Sequence, residues 1–222
     1  MPELHVLRVF TSEGGGGGNP LAVFLEGRAV AEGDRQRVAA ELGFSETVFV
    51  DRPDTGEIRI FTPAVELPFA GHPTVGTAWL LARERTAVEV LRPPAGEVPA
   101  RVDRDEAFVT ADPAWAPPFE LVHLPAPKDV DALDGPVAGH DLAGYWSWLD
   151  ERSGLVRARV FPVRYGISED EATGAAAILL CALIGRQIEI RQGTGSVLHA
   201  RPAAGLAVEL GGRVVLDELR RL

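Results

Sequence analysis

The chain has 222 residues and a formal charge of −10, with 46% hydrophobic and 24% charged residues. That length holds one large domain or two of about 100 residues each, and either can bury a core. An acidic chain with no Lys/Arg cluster is a poor partner for nucleic acid or an anionic membrane. Lys128 is the only lysine, so one residue alone is a candidate for Schiff-base chemistry. Cys181 is the only cysteine, which excludes an internal disulfide and a two-thiol racemase and points to the cytoplasm. The start of the chain lacks the basic and long apolar segments of a signal peptide. Its longest apolar run, 175–184, is roughly half of a membrane span.

In chain order, HVLRVFT predicts a first strand over 5–11. Gly14 to Gly18 predict a mobile hairpin loop, without the Gly-Lys-Ser/Thr ending of a phosphate loop. LAVFLEG predicts a strand, and DRQRVAAEL a short helix with Asp34 as N-cap and Gly43 as its stop. ETVFV and EIRIFTP predict two more strands. GHPTVGTAWLLARE predicts a helix with Pro73 at its first position and His72 at the N-cap. AVEVLRPP, VPARVDR and AFVTADP predict a three-strand meander, and the proline-rich 112–118 a linker. FELVHLP opens the second half, followed by a turn-rich stretch up to GHDLAG and a strand, LVRARVFP. TGAAAILLCALIG predicts an apolar helix closed by Gly185, and EIRQG, LAVEL and RVVLDEL predict the last strands.

An internal repeat organises these elements. Arg59-Ile60-Phe61 and Arg159-Val160-Phe161 lie 100 residues apart, each at a strand end. Each is followed, 13 to 15 residues later, by Gly-x-Ala-x-x-Leu: Gly76, Ala78 and Leu81, then Gly174, Ala176 and Leu179. Two similar lobes imply a cleft between them, where ligands bind.

Both repeated helices open on polar residues: Gly71, His72, Pro73 and Thr74 in one, and 169–174 (Glu, Asp, Glu, Ala, Thr, Gly) in the other. Two helix N-termini facing across a cleft would grip a small carboxylate; ordinary capping is the alternative. Glu46, in SETVFV, precedes a buried-looking strand. It is either partly desolvated and fit for acid/base work, or a solvated turn residue. His5, His123, His140 and His199 share no metal-ligand spacing, so no metal is expected. Cys181, mid-helix, reads as a buried structural thiol. Trp146 and Trp148 read equally as core or interface residues.

The stretches GNPLAVFLEG, ELGFSETVFV, RIFTPAVELPFAGHPTVGTAWLL, GISEDEATGAAA and the late RQG…RP…VELGGRVV together resemble the phenazine-biosynthesis PhzF-like family. That family has the diaminopimelate-epimerase-like fold. The resemblance implies an α+β protein of two similar lobes, each a curved, mostly antiparallel sheet around a central helix, here 1–114 and a shortened 115–222, with the last strand able to rejoin the first lobe. It also implies a site between the lobes, no cofactor and a homodimer. The family's characterised member isomerises a dihydro-hydroxyanthranilate by moving a proton. Its acid/base glutamate matches Glu46, its assisting histidine His72 and its aspartate Asp170, while Gly71, Pro73, Thr173, Gly174 and Ala175 fall on the substrate-binding turns. Against the family pattern Glu-Asp-Pro-Ala-Thr-Gly-Ser-Ala, Glu171 replaces the proline and Ala175 the serine. Several tens of residues are also missing around 115–130.

The expectation is therefore an isomerase or epimerase acting on a small carboxylate through Glu46, without metal, nucleic acid or membrane. The rivals are a binding protein that kept the cleft but lost the chemistry, and a dimeric scaffold.

Overall fold

The computed structural model describes residues 3–85 and 88–221. The first half runs β1 (Glu3–Thr11), β2 (Asn19–Phe24), α1 (Arg35–Leu42), β3 (Glu46–Arg52), β4 (Glu57–Phe61), β5 (Glu66–Leu67), α2 (Gly71–Glu84), β6 (Val90–Leu91), β7 (Val98–Asp103) and β8 (Glu106–Ala111). The second runs β9 (Glu120–His123), α3 (Pro127–Asp131), β10 (Ala143–Asp150), β11 (Leu155–Phe161), α4 (Gly174–Ile184), β12 (Ile188–Gln192), β13 (Ser196–Pro202) and β14 (Val208–Arg221). The strands form one continuous curled sheet, ordered β5-β4-β3-β2-β1-β14-β13-β12-β11-β10-β9, with β8 also pairing to β14. α2 packs on β1, β7, β8 and β14, and α4 on β13 and β14. β14 lies against both helices, and each helix is covered over most of its surface because most of its residues are apolar.

The repeat is deeper than the sequence alone conveys. β2 runs parallel to β3 across α1, and β9 runs parallel to β10 across α3. In each half the next strand pairs antiparallel, a central helix follows, and a three-strand meander closes the unit. Ile60 pairs with Leu67 in the first half as Val160 pairs with Asp170 in the second. Arg59 forks onto Glu66 as Arg159 forks onto Glu169. On the outer face, Phe49 meets Phe61 edge-on at 5.5 Å between ring centroids, and Tyr145 meets Phe161 at 5.9 Å. β1 has no counterpart in the second half, which leaves β9 at the edge of the sheet.

Several expectations change. The register equates Gly174 with Gly71, and Gly76 instead lies one turn further along α2. A Cβ at Gly76 would press Leu21 and Val9, so glycine there lets the sheet approach the helix. The N-cap of α2 is Ala70, and His72 and Pro73 lie inside the first turn. The Gly14–Gly18 run is pinned rather than free. Arg8 donates to the Gly15 and Gly17 carbonyls, and Gly17 lies against the Gly195 backbone. The expected linker is packed, with Trp115 5.7 Å from Phe69 between ring centroids. β10 and β13 went unpredicted, and the two expected final strands are one, β14. Part of the strand expected over 87–94 lies outside the described residues; Val90–Leu91 is its paired portion. Asp34, Gly43 and Gly185 hold the cap positions read from sequence, both glycines being left-handed, with φ of 70° and 77°.

Candidate active site

The N-termini of α2 and α4 meet in backbone contact. A Cβ on Gly71 would lie 2.9 Å from the Gly174 Cα, and one on Gly174 would lie 3.0 Å from the His72 nitrogen. Both positions are glycine because nothing larger fits. The opening N–H groups of each helix have no intrahelical acceptor, so two sets of donors and two positive helix ends converge here. Pro73 lacks an N–H and contributes shape alone. Thr173 is the N-cap of α4 and is buried, whereas Ala175 is half-buried.

Glu46 enters from the start of β3, beside Leu21 of β2. Its side chain is 15% exposed, and its Oε2, sealed from solvent, sits 3.4 Å from His72 Nε2. Neither atom has a hydrogen-bond partner. Burial raises the Glu46 carboxyl to about 7, against a smaller opposing effect of the Ser45 hydroxyl. Burial also lowers His72 to about 4, which keeps the ring neutral. The nearby Asp170 and the Pro20 backbone oppose that effect without overcoming it.

Asp170 is held on every side. Its N–H donates to the Val160 carbonyl at 2.9 Å. Asn19 Nδ2 donates to Oδ1 at 2.7 Å and Thr173 Oγ1 to Oδ2 at 2.5 Å. Gln192 Nε2 donates to the Asp170 carbonyl at 2.8 Å and to Thr173 Oγ1 at 2.9 Å. Burial, and then the nearby Glu46, raises its carboxyl above the usual range.

The structure therefore gathers Glu46, His72, Asp170, Gly71, Pro73, Thr173, Gly174 and Ala175 around one point. Sequence reasoning missed Asn19 and Gln192. Asn19 links three segments, receiving a hydrogen bond from Ser45 at 3.4 Å while donating to Asp170 and Ala172. Its only advance signal was its place between the glycine run and a strand. Outside this cluster, Lys128 is exposed on α3. Cys181 is fully buried, its thiol pushed up to about 11, so it stays an inert thiol. Among the described residues no group of three or more His, Cys, Asp or Glu is placed to hold a metal, and no helix is long and apolar enough to cross a membrane.

A sheet built around two central helices whose N-termini touch places the chain in the diaminopimelate-epimerase-like fold class. Within that class, the phenazine biosynthesis-like protein family, PhzC-PhzF, matches residues 7–134, and the chain belongs to it. The trans-2,3-dihydro-3-hydroxyanthranilate isomerase of Pseudomonas aeruginosa is 32% identical, over 79% of this chain and 80% of its own. A phenazine-biosynthesis PhzC/PhzF protein of Clostridium difficile superposes with a TM-score of 0.79 at 17% identity, covering 100% of this chain and 99% of that one. A hydroxyproline epimerase of Agrobacterium vitis superposes with a TM-score of 0.62 at 12% identity, covering 100% and 90%. Curated relatives that cover most of the chain are isomerases, and this chain is an isomerase-family enzyme.

Proposed function

We propose that this protein is a cofactor-independent isomerase that moves a proton within a small carboxylate, with Glu46 as the acid/base group. The observation that carries the reading is the buried Glu46 carboxyl, titrating at about 7, set 3.4 Å from a neutral His72 beside two touching helix N-termini. A group titrating near neutrality both takes and returns a proton readily. The backbone N–H groups of Gly71, Gly174 and Ala175 receive the substrate carboxylate, and Pro73 and Thr173 shape the turns around it. His72 hydrogen-bonds substrate through Nε2, and Asp170 orients it.

The repeat favours one base over two. By strand register the counterpart of Glu46 is Leu142, that of His72 is Ala175, and that of Asp170 is Leu67. Each ionisable group of the site faces an apolar twin. One carboxyl then removes a proton from one carbon and returns it to another on the same face, with no net change in protonation. A ligand screen of small carboxylates by thermal stabilisation tests this, with each hit assayed for turnover and for deuterium uptake from D2O. Turnover is expected, and the extent of deuterium uptake reports how far the Glu46 proton exchanges with solvent before it is returned. Binding without either favours the second reading, a small-molecule-binding protein, which Ala175 supports by placing a methyl group where the family pattern has a hydroxyl.

That hydroxyl also bears on substrate. Trans-2,3-dihydro-3-hydroxyanthranilate is expected to turn over poorly, because a buried polar group left without a partner costs about 1–3 kcal/mol, or one to two decades in rate. Ala175→Ser is expected to restore part of it. Wild-type turnover within about tenfold of the Pseudomonas aeruginosa isomerase would sink this expectation.

The reading includes a homodimer and a cytoplasmic setting, the latter in keeping with a single buried thiol. The open edge of β9 supports the dimer, since exposed sheet edges are normally covered. Light scattering at micromolar concentration is expected to give twice 23.8 kDa, and a clean monomer contradicts it.

A further inference from the structure

Glu171 stands between Asp170 and Ala172, and its side chain turns away from the proposed reaction centre. Its carboxylate is met by the turn joining β12 to β13. The Thr194 N–H donates to both oxygens at 3.0 Å, and the Gly195 N–H donates to Oε1 at 3.2 Å. The Thr194 and Ser196 hydroxyls donate to Oε1 at 3.1 and 2.9 Å. Gly193, with φ of 57°, is glycine because a Cβ would run into this carboxylate. The Ser196 hydroxyl is used twice. It donates to Glu171 and accepts the Gly18 N–H at 2.8 Å. The next residue after Gly18 is Asn19, whose amide holds Asp170 Oδ1 and the Ala172 carbonyl. A closed loop of contacts therefore runs from Glu171 through the turn and the glycine run back to both of its neighbours.

The repeat says what this replaces. The residue four before Gly71 is Leu67, matching Asp170 four before Gly174, so the counterpart of Glu171 is Pro68. In the first half the backbone leading to the helix N-terminus is restrained by a proline ring. In the second it is restrained by a carboxylate accepting two backbone and two hydroxyl donors.

We propose that Glu171 is a positioning residue: it fastens the 170–174 turn to the β12–β13 turn and the glycine run, and so holds Asp170 and the start of α4 in place. The proposal rests on the reading of Asp170 as a site residue, but its test does not require turnover. In protein carrying 13C-labelled aspartate carboxyls, the Asp170 resonance, assigned with Asp170→Asn, is titrated in wild type, Glu171→Ala, Glu171→Gln and Glu171→Pro.

Burial holds Asp170 above the ordinary carboxylate range. Freeing the turn admits water, so Glu171→Ala is expected to lower its midpoint by about one pH unit or more. Glu171→Gln keeps an acceptor oxygen and is expected to retain most of the wild-type value. Glu171→Pro restores the restraint by another route and is expected to do the same. Thermal unfolding is measured alongside, since a purely structural role would lower the melting temperature without moving the Asp170 midpoint. Ser196→Ala, which cuts the link to Gly18 without touching charge, is expected to shift the midpoint in the same direction by less. An unchanged Asp170 midpoint in folded Glu171→Ala, or in Ser196→Ala if the former does not fold, overturns the proposal. Loss of turnover in every variant with the midpoint behaving as expected leaves the positioning intact and counts instead against the proposed chemistry.

Discussion

Glu46→Gln is expected to abolish turnover and, at pH 8, to make the protein more stable. The rate loss follows from the role: a positioned acid/base group contributes about 10²–10⁴, and Glu46 has no ionisable twin to take over. The stability gain follows from linkage. The Glu46 carboxyl titrates at about 7 in the fold against 4.5 when solvated. Between those values the folded state holds the proton and the unfolded state does not, so this group loses the protein stability as pH rises from 4.5 to 7. Above pH 7 the wild type carries the full cost of ionising a buried carboxyl, up to about 3 kcal/mol, and glutamine does not.

His72 acts in the opposite sense. The unfolded imidazole binds a proton below 6.5 and the buried one only near 4, so stability falls as pH drops through that window. In the wild type the two effects oppose each other between 4.5 and 6.5. Glu46→Gln removes the Glu46 effect and leaves that of His72 opposed by the raised Asp170 carboxyl alone among these three, so the variant should gain stability with pH relative to the wild type across the window. Denaturant unfolding at pH 5 and pH 8, with turnover measured on the same preparations, checks both halves. For the wild type, kcat/KM should rise with pH and level off above about 7, because the base form of Glu46 takes the first proton. Unchanged turnover in Glu46→Gln rejects the role, and a large loss of stability at both pH values makes Glu46 a structural residue.

Gly174→Ala is expected to damage stability and the site together. The added Cβ would lie 2.8 Å from Leu210 Cδ2, 2.9 Å from the Gly71 Cα and 3.0 Å from the His72 nitrogen. Leucine can shift, but two of the three neighbours are backbone of the opposing helix start. The helices must part, and overpacking of this kind costs about 1–3 kcal/mol. Separating the two sets of N–H donors also misplaces the carboxylate they receive, and small misplacements cost about 100-fold in rate. Gly185→Ala is the control. It carries a positive φ of 77° with open space around it, so the cost is about 1 kcal/mol with turnover unchanged. Wild-type turnover in Gly174→Ala would show that the contact between helix starts is incidental to the chemistry.

Much of the fold was legible because it is local. Gly43 and Gly185 end helices because only a residue free of a Cβ enters the left-handed region cheaply, and that signal needs no partner. The alternating strands, the apolar run around Cys181 and the 100-residue repeat are likewise properties of short stretches. Family resemblance singled out Glu46, whereas its residues alone favoured a solvated turn group. Its titration near 7 exists only because β2, α2 and the 170–174 turn arrive from elsewhere in the chain and exclude water. Trp146 was ambiguous for the same reason. It is buried, 7% exposed, because β10 runs between β9 and β11, and that pairing is not written in the tryptophan itself.

Gly211-Gly212 reads locally as a break between two strands. In the fold β14 passes through it unbroken, since Phe108 and Phe10 press so close that a Cβ has no room at either position. Asn19 and Gln192 showed no sign of their contacts in advance, because their partners lie 151 and 19 to 22 residues away. The sequence by itself determined most of the strands, the longer helices, the glycine stops of two of them and that the chain repeats. The tertiary structure alone decided which glycines touch, which carboxyl is dry and which side chains hold Asp170, because desolvation and close approach arise only between segments distant in the chain.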